Sequence, residues 1–419
     1  MRRRIIGVFV FCLSLTFLFG MSTLAKTTIQ FSTWGSVEEV NLNKRIIDAF
    51  MKENPDIEVE LLHIPGDKYN QKIEVMMAAG TPPDAMYLNP QWAVPLWSGG
   101  ALVDLKPYLD EELDDEKYFT VAYKGIRWGE KIYGIPNGTN IYVLAYNKNL
   151  FDAEGLSYPD ETWTWEKMVE SGQKLTKDTS GDNKPDQFGV TFGNWWGTWA
   201  YLLQANGGSY FNEDMTKCEL DSPEAIEAFQ FSGDLINKYK IAPTPAEMGG
   251  IPGGFYSGKI AMADFGTWGV QQARFIKDFG WDFAPMPLAK EGYKRVTPMF
   301  QASYCVAELS KYKDEAIKFA RFYAKDFAQK EIGVDGLITP FLRSAANSEE
   351  FLKLEGAPEH HYLRLEGLEY AILADILHTQ VFEITRLIGT ATEQITLGKK
   401  TAEEALKEVV PQIDDILKK

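Results

Sequence analysis

Cysteine is nearly absent: three in 419 residues, too few for a disulfide scaffold or a zinc-ribbon array. The four histidines form no H-E-x-x-H pair, and no G-x-S-x-G or G-x-x-x-x-G-K-[ST] run occurs. The sequence signatures of a zinc protease, a serine hydrolase and a phosphate-binding loop are therefore missing. Positive charge is short as well. The 43 Lys+Arg against 59 Asp+Glu leave a net charge of -16, which excludes nucleic acid as a main partner because phosphate binding needs a basic surface. Long apolar runs are limited to one, from Ile5 to Phe19. It falls short of the ~20 residues a spanning helix requires. No internal repeat and no low-complexity linker appears, so any two lobes are joined by short crossings.

That single apolar run has a context. Arg2, Arg3 and Arg4 precede it, and small residues follow up to Thr23-Leu24-Ala25. A basic, then apolar, then small-residue order reads as a secretory signal peptide over residues 1–25. Its removal takes the charge from -16 to -19, the three arginines being lost. Export permits a disulfide between Cys218 and Cys305, and two separate buried thiols is the other reading.

The first hundred residues alternate strands and helices. Thr28–Ser32 and Ile57–Leu61 alternate polar and apolar, while Val40, Ile46, Ile47, Phe50 and Met51 fall at helical spacing before Asn54-Pro55. A second helix pattern, Tyr69 to Ala79, precedes the apolar Ala85–Leu88. This is βαβαβ, the start of a mostly parallel sheet covered by helices. Such sheets bind ligands beyond the carboxyl ends of their strands, which nominates Trp34 and Glu38 after the first strand and Asn89 and Trp92 after the third. Near the end, Thr401 and Glu404 make a capping box, and Pro411 is expected to kink or interrupt the last helix.

All 11 tryptophans lie between residues 34 and 281. Core packing alone does not account for Trp195-Trp196-Gly197-Thr198-Trp199, since consecutive tryptophans cannot all point into one core. Large, stiff rings with one donor suit the apolar faces of sugars. Asp178, Ser180, Asp182 and Asp186 have calcium-loop spacing, but Asn183 and Gly189 occupy the positions of the required glycine and acid. A solvated turn is the reading there, and no metal or cofactor is expected.

Residues 125–170 resemble a known family. Gly129-Glu130-Lys131-Ile132-Tyr133-Gly134-Ile135-Pro136 is followed by Tyr146-Asn147-Lys148-Asn149-Leu150-Phe151, then Gly155-Leu156, Pro159 and Thr164-Trp165-Glu166. Gly100–Leu105, Asp178–Asp182, Gly258–Met262 and Gly266-Thr267-Trp268 continue the match in order. This pattern is similar to the family 1 extracellular solute-binding proteins, the maltose-binding-like receptors of ABC importers for sugars.

The resemblance implies an α/β, two-lobed periplasmic-binding-protein fold of type II, each lobe a mostly parallel sheet flanked by helices, with the ligand cleft between. It implies three crossings, expected near Asn137–Asn140, Phe283–Pro285 and Asp335–Ile338. The lobes are then 26–139 with 284–337, and 140–283 with 338–419. It further implies Asn140, Asp264, Trp268 and Arg343 at the cleft, joined by Trp195, Trp196 and Trp199. Gln301 lies in Met299-Phe300-Gln301-Ala302-Ser303, where relatives usually carry a glycine-rich strand entrance. The expected function is capture of a di- to tetrasaccharide, in the periplasm or outside the cell, for delivery to membrane permease subunits, by a monomer that does no chemistry. The alternative is a secreted glycoside hydrolase or lyase, which would also use an aromatic, acidic cleft, and a surface adhesin is a third class.

Overall fold

The computed structural model describes residues 26–109 and 112–418; the expected signal segment, 1–25, lies outside them. The chain opens with β1 (Thr27–Thr33), α1 (Val37–Glu53), β2 (Ile57–His63), α2 (Gly66–Ala78), β3 (Ala85–Leu88) and α3 (Pro90–Ser98). β1 runs parallel to both β2 and β3. Leu42, Ile46, Ile47 and Phe50 of α1 are buried at helical spacing against this sheet.

A small hairpin, β4 (Arg127–Trp128) with β5 (Lys131–Ile132), leads to β6 (Ile135–Pro136). The chain then crosses through Asn137, Gly138 and Thr139 into β7 (Asn140–Asn147), the centre of a second sheet. β7 is flanked antiparallel by β8 (Met262–Gly266), β9 (Trp281–Ala284) and β10 (Thr297–Phe300). β11 (Ser303–Val306) returns to the first sheet, antiparallel between β3 and β6, and β12 (Ala371–Leu373) adds to the second sheet beside β10. The first sheet thus has the order β2-β1-β3-β11-β6 and the second β12-β10-β7-β8. The two-lobed α/β architecture is the expected one. The second sheet, however, is mixed, because β7 pairs antiparallel with three neighbours where a mostly parallel sheet was expected.

Two of the expected crossings are displaced. Phe283 is inside β9, and β10 still pairs with β7, so the second crossing runs through Gln301-Ala302 and not Phe283–Pro285. Ile338, Phe341, Leu342 and Ala345 pack in the first lobe's core, and Leu354, Leu363 and Leu368 in the second's. The third passage therefore lies between Ala345 and Leu354, beyond the expected Asp335–Ile338. Local apolar runs mark strands without saying which sheet they join.

Cys305 on β11 and Cys218 sit in the cores of different lobes, and both are free thiols. The acidic loop is a turn in which Asp178 accepts from the backbone of Gly181 and Asn183, and Asp186 from Thr179. The last helix, Ala402–Leu417, runs unbroken through Pro411. Pro411 and Lys407, whose carbonyl loses its helical donor, both face solvent, so water can replace the missing bond. Among the described residues, no helix is long and apolar enough to cross a membrane.

Candidate functional site

The carboxyl ends of β1 and β3 meet the crossings at a cavity of about 340 Å³ between the lobes, within the range of small-molecule sites. Its first-lobe wall is built by two helix starts. Ser36 caps α1, its hydroxyl accepting from the Glu39 N–H at 3.2 Å, while Glu39 Oε2 accepts from the Ser36 N–H at 2.6 Å. Gly35 makes this possible. Its φ of +121° suits glycine, and a Cβ there would lie 2.5 Å from Glu39 Oε2. Burial raises the Glu39 carboxyl above its ordinary range, against the lowering effect of the Ser36 backbone bond. Asn89 caps α3, accepting from the Trp92 N–H at 3.0 Å.

Trp34 stacks on Tyr87 at 4.4 Å and meets the edges of Tyr69 and Trp92 at 5.0 and 4.9 Å. Tyr87 in turn accepts a hydrogen bond from the Asn137 carboxamide. A flat, supported aromatic platform results.

The opposite wall belongs to the second lobe. Trp195 lies parallel to Phe300, 5.3 Å and 13° apart. Trp268 stands edge-on to both, at 5.9 Å from Trp195 and 5.1 Å from Phe300. Two glycines allow the close packing. A Cβ on Gly266 would meet the Trp268 ring at 2.2 Å, and one on Gly197 the Phe300 ring at 2.6 Å. Asp264 sits behind this wall, its carboxylate accepting from the Gly193 N–H at 3.1 Å and the Thr198 hydroxyl at 2.5 Å. It ties down the loop that carries Trp195. Burial pushes its carboxyl up to about 7.

Of the residues nominated from sequence, Trp34, Asn89, Asn140, Trp195, Trp196, Trp268 and Gln301 line the cavity. Five do not. Glu38 is exposed on α1, and Glu39 takes its place because the capping box requires the acid three residues after Ser36. Trp92 backs Trp34 and stacks on Tyr69 at 5.7 Å without lining the cavity. Trp199 is a core residue, 5% exposed, its Nε1 donating to Asn194. Asp264 supports the wall from behind. Arg343 is elsewhere: its Nε donates to the Asp115 carbonyl, and its guanidinium lies over Phe119 at 4.1 Å.

Sequence reasoning missed Glu39, Tyr87, Asn137 and Phe300, which also line the cavity. The Ser36–Glu39 spacing was a legible signal; Phe300 was not, since its place depends on β10 pairing with β7.

Other hollows among the described residues are larger. One of about 450 Å³ is confined to the outer face of the first lobe around the Arg321–Glu112 pair, and one of about 660 Å³ holds Arg343 among charged neighbours. Neither brings stacked aromatic faces from both lobes together with carboxamides, as the interlobe cavity does.

Comparison with known proteins agrees with this construction. Residues 35–330 match the family described as bacterial extracellular solute-binding protein. The galactooligosaccharide-binding protein of Bacillus subtilis (strain 168) is 25% identical over 332 residues, covering 77% of this chain and 75% of its own length. The maltotriose-binding protein of Pyrococcus abyssi is 25% identical over 323 residues, 74% of this chain and 66% of its own length. The solved structure of an ABC substrate-binding protein from Listeria monocytogenes in complex with cycloalternan has a TM-score of 0.84 and 27% identity, covering 94% of this chain and 99% of that one. The match takes in strands of both sheets and residues of both cavity walls, and the chain belongs to the bacterial extracellular solute-binding protein family.

Proposed function

We propose that this protein captures an oligosaccharide of two to four units in the interlobe cavity and delivers it to the membrane subunits of an ABC importer. The observation that carries the reading is the pairing of aromatic walls from opposite lobes, Trp34 with Tyr87 against Trp195 with Trp268, around the carboxamides of Asn89, Asn137 and Asn140. Aromatic faces take the C–H faces of pyranoses, and amides and Glu39 select hydroxyl configuration. Relatives that bind galactooligosaccharide, maltotriose and cycloalternan support this class of ligand. The basic, apolar and small-residue order at the N-terminus supports export, and the protein acts as a monomer.

The hydrolase alternative is the weaker reading. A glycosidase ordinarily sets two carboxyl groups about the scissile bond, and among the described residues Glu39 is the only carboxylate lining the cavity. Incubation with cycloalternan, maltotriose and galactooligosaccharides decides between them. Stoichiometric binding with the sugar recovered intact supports the receptor; accumulating shorter products would overturn it.

A further inference from the structure

Asn140 opens β7 at the first crossing and lines the cavity. We propose that Asn140 is fixed as a one-way hydrogen-bond donor to the bound sugar, with Thr267 and the buried Arg364 as the residues that position it. The proposal rests on the sugar-receptor reading and adds to it which atom faces the ligand.

The Ile141 N–H donates to Thr267 Oγ1 at 3.1 Å, and the Thr267 hydroxyl stands 2.9 Å from Asn140 Oδ1. With the backbone N–H occupying a lone pair of the threonine oxygen, the hydroxyl proton is directed at Asn140 Oδ1. Arg364 Nη2 donates to the same oxygen at 3.4 Å. The guanidinium is fully buried and, among the described residues, meets only neutral acceptors, with Nε on Thr339 Oγ1 and Nη1 on the Gly336 carbonyl, both at 3.0 Å.

A buried cation without a carboxylate needs every oxygen dipole it can reach. Rotating the Asn140 amide by half a turn would set its NH2 against the guanidinium, donor facing donor. That orientation is excluded on energetic grounds. Asn140 therefore keeps its oxygen inward, and its Nδ2, which makes no hydrogen bond to any described residue, faces the cavity. The group it fits is an acceptor: a ring, glycosidic or hydroxyl oxygen of a neutral sugar.

Asn140→Asp separates this role from ordinary structural support. The change is isosteric, gives Arg364 the carboxylate it lacks, and replaces the cavity-facing donor by an acceptor. The ligand-free variant is expected to melt higher than wild type, by about 2 °C. Its affinity for each sugar probe that wild type binds, among cycloalternan, maltotriose and galactooligosaccharides, is expected to fall by about tenfold or more. A lower melting temperature would overturn the Arg364 network. An unchanged affinity beside normal wild-type binding would overturn the donor role alone. Wild-type protein that binds none of the three would overturn the receptor reading and the donor role with it.

Discussion

Trp268 and Asp264, four residues apart, hold the same wall in different ways. The indole lies against Gly266, whose φ of −70° is open to any residue, so alanine there adds a methyl without backbone strain. That methyl would occupy the ring's place. Gly266→Ala is expected to displace the indole and weaken sugar binding by about tenfold, with ligand-free melting little changed. Gly269→Ala is the contrast, since its Cβ would meet Phe265 and Tyr256 at 2.5 and 2.6 Å, and Gly269 gives room to these rings and not to Trp268. It should lower stability first. Calorimetry beside melting curves distinguishes the pair; an unaltered affinity in Gly266→Ala would remove Trp268 from the site.

Asp264 makes a prediction about pH. Its folded carboxyl is raised by burial to about 7 from an ordinary 3.8. Between those values the unfolded chain ionises while the folded protein keeps its proton, so stability falls as pH rises from about 4 to 7 and is level above. Asp375 is raised to about 7 by burial and adds the same sign. Asp264→Asn, which keeps an acceptor for Gly193 and Thr198, should decline less than wild type over that window. Melting curves that stay parallel from pH 4 to 7 would refute the assignment.

Two capping boxes test what an element contributes beyond its own stability. Thr401 with Glu404 closes the last helix, and Ser36 with Glu39 closes α1. Each Ser/Thr→Ala change should cost about 1 kcal/mol of stability. Only Ser36→Ala should also weaken sugar binding, because losing the hydroxyl that accepts from the Glu39 N–H loosens the first turn of α1, which carries the Glu39 side chain that lines the cavity. Equal binding losses in the two variants would contradict this.

The same elements show what was legible in the sequence. The βαβαβ opening was readable because each strand and helix carries its own period and its own stops, such as Asn54-Pro55 and Asn89-Pro90. The strands β9, β10 and β11 were not assignable to a sheet, since four-residue apolar runs carry no partner information. Hence the displaced crossings, and hence Phe300 went unseen. Glu38 failed for a local reason: one residue along a helix is 100° around it, which leaves Glu38 exposed, while Glu39 at N3 bonds the cap's backbone N–H and lines the cavity. Arg343 came from the family pattern, and here its guanidinium is held on Asp115 and Phe119.

At the scale of the whole molecule, the cavity is formed from both lobes and lies against the crossings. Gly138 has a φ of +149°, and a Cβ there would lie 2.3 Å from the Thr339 carbonyl, beside the reciprocal Thr139–Thr339 backbone pair. This joint is suited to hinge motion about a captured ligand. Solution scattering should show a smaller radius of gyration with saturating sugar, and an unchanged radius at verified saturation would count against closure.

The proposed receptor grips one oligosaccharide between aromatic faces from two lobes. Calorimetric titration of wild type, Trp34→Ala and Trp268→Ala with cycloalternan, maltotriose and galactooligosaccharides tests it most directly. Wild type is expected to bind at least one of them at one site per chain. Both variants, shown folded by melting, should lose roughly 2 kcal/mol, about thirtyfold in affinity. Saturable wild-type binding that neither substitution disturbs, or no binding to any of the three, would contradict it.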